Sequence, residues 1–286
     1  MRIVQWANAP RNVAGSDECL ACSLSLDYTD RVQKDPLIRL VDTNAVRRQL
    51  QRRGAALIDG HPLWQEARHR MRDRLGYIRC EDGPALEHSL AHYGLPMNLT
   101  PESWQRIESV GLLSALADVR GTLAAWAQSL RPGGLLMFVT LGPDSFRALA
   151  LALGDAEQMR HVAGYPDMHD IGDALVGLKM TNPVMDAEWV RLTYSTPESA
   201  LADLRALGGN ALRGRPAGLS GRGWRAKVLA ALESLRHGDV IPIEVELVFG
   251  HAWAAMPRSD QKSGADSAVK PVTLHPRTPK NASGSI

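Results

Sequence analysis

Between residues 42 and 79 apolar side chains recur at helical spacing in a background dominated by arginine. Thr43 or Asn44 can cap a helix in which Ala45, Val46, Leu50, Ala55 and Ala56 are interrupted by Arg47, Arg48, Arg52 and Arg53. Pro62 suits the first turn of a second helix, where Leu63, Ala67, Met71, Leu75 and Ile78 share a face and five of the residues between them are Arg or His. The spacing predicts a helix over 81–93, and Thr100-Pro101 starts another that carries Trp104, Ile107, Gly111 and Leu113. A helix over 119–130 then leads through Arg131-Pro132-Gly133-Gly134 into Leu135-Leu136-Met137-Phe138-Val139. That unbroken apolar run, bounded by turn residues and preceded by a helix, predicts a strand buried on both faces. Helices follow at 145–153, 168–178, 196–207 and 224–236, and a strand at 184–194. Ile243, Val245, Leu247 and Phe249 mark a last strand over 241–253 by their period of two. The pattern predicts an irregular extension over 1–40, a folded domain over 41–255 that opens with a helical segment at 41–79, and a disordered tail over 256–286.

The chain has 286 residues, 44% of them hydrophobic and 22% charged, enough for a real core. Its 33 Lys and Arg nearly balance 31 Asp and Glu, which argues against a strongly electrostatic nucleic-acid or membrane binder. Three cysteines make no disulfide framework, residues 1–24 lack a secretory pattern, and no stretch reaches the ~20 apolar residues of a membrane span. A cytoplasmic location is expected.

Candidate chemistry is sparse. Cys19 and Cys22 form a C-x-x-C without the further ligands of a zinc site, and His88 and His92 read as a solvated helix face, so no metal is expected. His169, Asp170 and His251 are isolated catalytic candidates. No acid lies between Asp203 and Glu233, whereas Arg213, Arg215, Arg222, Arg225 and Lys227 gather there among glycines, which predicts a cationic docking loop.

The helix, the Arg131–Gly134 turn, the buried strand and Gly142-Pro143-Asp144-Ser145-Phe146 resemble the fifth helix and strand of class I S-adenosylmethionine-dependent methyltransferases. Asp167 to Leu175, Leu192-Thr193-Tyr194, Ala202-Asp203-Leu204-Arg205 and Phe249-Gly250-His251-Ala252-Trp253 follow in the order of one such family, the malonyl-acyl-carrier-protein O-methyltransferases of biotin synthesis. Residues 44–79 resemble its N-terminal lid, with Leu50 and Leu57 where that family usually has Phe and Tyr. The resemblance implies an α/β, Rossmann-like methyltransferase fold and S-adenosylmethionine as cofactor. Only sixteen residues separate Ile78 from Leu95, however, and a βαβ unit needs roughly 30. The expectation is therefore a reduced fold without the family's first three strands, with its last two strands as an antiparallel edge and no identifiable cofactor-binding residues. Function then reads as a catalytically impaired pseudoenzyme whose partner is acyl carrier protein. An assembly partner of an intact methyltransferase, or a relative of the arginine hydroxylase that assists complex I assembly, are the alternatives. Loss of three strands would also leave an open sheet edge and favour a homo-oligomer.

Overall fold

The computed structural model describes residues 2–5, 35–154, 164–208, 211 and 222–256. Its centre is a six-stranded sheet of β1 (Arg2–Gln5), β2 (Ala85–Glu87), β3 (Trp104–Val110), β4 (Leu130–Leu141), β5 (Thr181–Tyr194) and β6 (Ile241–Trp253), in the order β1-β5-β6-β4-β3-β2. β2, β3 and β4 run parallel, while β6, β5 and β1 pair antiparallel. The helices are α1 (Thr43–Arg53), α2 (Ala55–Asp59), α3 (Pro62–Leu75), α4 (Val119–Ser129), α5 (Arg147–Leu153), α6 (Met168–Gly177), α7 (Pro197–Ala206) and α8 (Arg222–Ser234).

β4 is buried from Leu135 to Leu141, as its apolar run requires. Opposed residues of antiparallel strands share a face, so Met137, His251 and Val184 form one row and Phe138, Gly250 and Met185 the next row on the other side. The Phe138 ring presses against Gly250, where a Cβ would fall 2.2 Å from its Cζ. Gly172 of α6 approaches Met185 on that same side, whereas Arg74 of α3 sits over Phe249 on the opposite side. The sheet is thus a middle layer, with α3 on one face and α6 on the other.

Several expectations change. Residues 104–110 are strand β3, because pairing with buried β4 decides a sequence that local signals leave ambiguous. Residues 81–93 hold β2 and the 3-10 turn Leu90–His92 instead of a helix. β2 pairs with Arg106, Ile107 and Glu108, so the outer side of β3 carries a three-residue strand rather than an open edge. Within the expected irregular extension, Arg2–Gln5 pairs with β5 and covers the edge assigned to the last two strands. Gly54, at φ 80°, also divides the first helix into α1 and α2, and the cap of α1 is Asp42, whose carboxylate accepts from Ala45 N–H at 2.9 Å. The folded unit runs to Met256, and the expected tail lies outside the described residues.

Candidate functional site

Three places bring reactive or charged groups together. The first joins the start of α3 to the end of β5. His61 caps α3 by accepting from Leu63 N–H through Nδ1 at 3.2 Å, which leaves the proton on Nε2, 3.2 Å from Asp203 Oδ1. Tyr194 donates its hydroxyl to the other Asp203 oxygen at 2.5 Å. Burial pushes the Asp203 carboxyl up, but the contacts from His61 and Tyr194 outweigh it and hold the group below its ordinary value. Burial and the adjoining carboxylate both push the Tyr194 phenol up. Trp64, one turn further along α3, donates to Leu207 O at 3.3 Å, so the helical segment is tied to α7 twice.

The second is a cleft of 470 Å³ between the end of α3 and the sheet, floored by Met137, Val184, Phe249 and Gly250 and edged by Arg74, Tyr77 and His251. Arg74 stacks 3.8 Å above the Phe249 ring and binds Asp186 at 2.7 Å and Glu188. His251 meets the edge of Trp253 at 5.2 Å between ring centres, and burial followed by the Arg74 charge lowers its pKa. Both effects favour the neutral imidazole. His169 and Asp170 are elsewhere, in the first turn of α6: His169 is exposed and bonded to Asp167 at 2.7 Å, and Asp170 is raised by burial and then by Asp167 and Asp173. The three catalytic candidates therefore do not converge.

The third is the cationic surface. Arg222, Arg225 and Lys227 are exposed on α8, while Arg213 and Arg215 lie outside the described residues, as do Cys19 and Cys22. His88 and His92 are not a solvated helix face. His88 accepts from Trp126 Nε1 at 3.0 Å, and His92 Nδ1 accepts from Ser89 N–H at 3.2 Å, closing the 3-10 turn. Among the described residues no group of three His, Cys, Asp or Glu is placed to hold a metal, and no helix is long and apolar enough to cross a membrane.

The end of β2 is where a parallel α/β sheet of this order would cradle a nucleotide-bearing cofactor, and the residues there do not fit one. No glycine occurs between Ala85 and Tyr93. His88 N–H is spent on Glu108 O at 2.9 Å and Ser89 on the 3-10 turn. Glu87, the one carboxylate that ends β2, takes Arg68 at 2.8 Å, and no further strand stands beyond β2 among the described residues. Gly83 serves strand packing instead, since a Cβ there would lie 2.5 Å from Gln105 Cβ. Sequence reasoning named Phe249 only as a strand residue and within the Phe-Gly-His-Ala-Trp string, and missed Arg74 and the His61–Asp203–Tyr194 group. Only the Leu-Thr-Tyr and Ala-Asp-Leu-Arg strings pointed to the last.

No protein-family model matches the chain. Curated relatives do: it is 42% identical over 160 residues to a malonyl-[acyl-carrier protein] O-methyltransferase of Laribacter hongkongensis, covering 55% of this chain and 52% of that protein. It is 41% identical over 143 residues to a protein of the same name from Nitrosospira multiformis, covering 50% and 47%. A solved putative methyltransferase from Bacillus halodurans overlays 65% of this chain and 99% of its own with a TM-score of 0.44 at 10% identity. The chain spans about half the length of the curated relatives it matches. Over that half, the chain is a homologue of proteins named malonyl-[acyl-carrier protein] O-methyltransferase, on a methyltransferase-like α/β fold.

Proposed function

We propose that this chain is a carrier-binding relative of the malonyl-carrier methyltransferases that does not transfer methyl groups. The observation that carries the reading is the end of β2, where a glycine-free turn, a committed backbone amide and an ion-paired glutamate stand at the position for a cofactor cradle. Sheet, α7 and α8 behind it are fully built, so the fold can still present a binding surface. Partner recognition then falls to cations, among them Arg222, Arg225 and Lys227 on α8 together with Arg213 and Arg215 before it, facing the acidic surface of an acyl carrier protein.

Calorimetry tests both halves. S-adenosylmethionine should give no heat of binding at concentrations up to about 1 mM, whereas holo acyl carrier protein should bind at low salt in the micromolar range. A micromolar affinity for S-adenosylmethionine overturns the loss of catalysis. Absence of carrier binding at low salt overturns the binding role.

A further inference from the structure

Residues 43–79 carry nine arginines against three carboxylates, in a chain whose totals are 33 and 31. Four of those arginines are in α1, which has no acid between Thr43 and Arg53. Val46 and Leu50 turn to the core, while Arg47, Arg48 and Arg52 are exposed and make no ion pair among the described residues. Arg48 and Arg52 stand one turn apart, a like-charge spacing that destabilises a helix.

The end of α1 meets the end of α7. A Cβ on Gly208 would lie 2.6 Å from Leu50 Cδ2, and Asp42 N–H donates to Ala211 O at 2.9 Å. Arg205, exposed in the last turn of α7, thereby faces half-buried Arg53, and burial together with the Arg205 charge lowers the Arg53 pKa. An acid-free helix, like charges at one-turn spacing and two guanidinium groups brought together from different elements all oppose folding. Among the described residues no carboxylate pairs with Arg47, Arg48 or Arg52, and charge complementarity points to an acidic partner.

We infer that α1 and the end of α7 form a docking face, made of Arg47, Arg48, Arg52, Arg53 and Arg205, for an acidic protein. The inference rests on the carrier-binding reading and deepens it by extending the contact from α8 and the loop before it to α1 and the end of α7. Eleven residues of helix span about 16 Å, which one acidic helix of three turns can match side chain for side chain. Wrapping a nucleic acid would need a long-range field that a whole-chain charge of +2 does not supply.

Holo acyl carrier protein should be titrated into the full chain, into Arg48→Gln/Arg52→Gln and into Arg72→Gln/Arg79→Gln, at 20 and 200 mM salt. Arg72 and Arg79 are exposed cations of the same segment, so the second variant changes net charge equally away from the face. The first pair should weaken low-salt binding about tenfold and flatten its salt dependence, with the second pair close to wild type. Equal weakening by both pairs, or none by the first, overturns the docking face while wild-type binding leaves the carrier reading standing. No wild-type binding overturns both. A random 20-base-pair duplex that binds wild type as tightly as the carrier assigns the face to nucleic acid and overturns the choice of an acidic protein.

Discussion

α1 and α3 are built from the same basic residues and differ in what those residues face. Each long arginine of α3 that reaches inward finds a carboxylate: Arg68 binds Asp59 and Glu87, Arg70 binds Glu66 at 2.8 Å and Glu188 at 2.6 Å, and Arg74 binds Asp186 and Glu188. Two of those acids lie on β5, on the sheet face that α3 covers, so the helix is fastened to the sheet by charge as well as by Leu63, Trp64, Ala67 and Met71. Among the described residues, the outward Arg47, Arg48 and Arg52 of α1 make no ion pair. One composition therefore meets two environments: α3 converts its cations into tertiary structure, and α1 leaves three of its cations exposed, the feature on which the proposed docking face rests.

Replacement of Arg70 is expected to have the largest effect. The residue is 8% exposed, and Arg70→Ala strands Glu66 and half of the Glu188 pairing against a packed helix. Removing one member of such a pair costs up to about 3 kcal/mol, because the remaining carboxylates, 31% exposed, are only partly hydrated. Urea unfolding should show that loss, and Arg74→Ala, which also gives up the stack on Phe249, should cost somewhat less because its pairs are more open to water. A loss below about 1 kcal/mol for Arg70→Ala would erase the contrast with α1, since exposed cations contribute no more than that.

The histidines repeat the contrast and provide the pH test. His169 is exposed beside one aspartate, whereas His88 is enclosed at the end of β2 with Trp126 donating to it. Burial, and then the neighbouring His92, lower the His88 pKa to about 4. The folded protein thus takes up this proton later than the unfolded chain, whose ordinary value is 6.5. Its contribution to stability is complete above that value, declines as pH falls from 6.5 toward 4, and changes no further below. The full shift corresponds to about 3 kcal/mol, and the partial exposure of the ring brings the expected swing to about 2 kcal/mol. His88→Gln keeps an acceptor for the indole N–H without titrating, and should flatten the unfolding free energy over that interval. An unchanged slope would mean that His88 is as well solvated as His169.

How much of this was readable beforehand depended on the distance over which each element finds its partners. α3 and β6 follow from periodicity and β4 from its unbroken apolar run, signals that each lie within a few residues. β3 was obscured because Gln105 and Ser109 occupy buried positions, which hides the alternation, while Thr100-Pro101 imitates a helix start. Only the parallel pairing of β3 to β4 decides it. β1 offers four residues and gains its identity from β5, almost two hundred positions away. The candidate site behaved likewise. The arginines were plain in the sequence, but Arg70 and Glu188 are 118 residues apart, so nothing local separated the fastened cations from the exposed ones. The glycine-rich loop drew attention because it is free of acids, a property that α1 shares over a shorter span.

The smallest expected effect has the opposite sign and bears most directly on α1. Arg48→Gln/Arg52→Gln removes two like charges one turn apart, and Gln has nearly the helix propensity of Arg, so the change isolates repulsion. The helix keeps its Asp42 cap and its buried Val46 and Leu50. The variant should be more stable by about 0.3 kcal/mol at low salt, a shift of roughly 1 °C in Tm for a domain of this size. The gain should fade by 1 M salt, where screening acts within about 3 Å. Differential scanning calorimetry at both salt concentrations resolves a shift of that size when the two proteins are run side by side. If the variant is instead less stable than wild type, Arg48 or Arg52 has an intramolecular partner, and α1 joins α3 as a fastened helix with no cations to spare for binding.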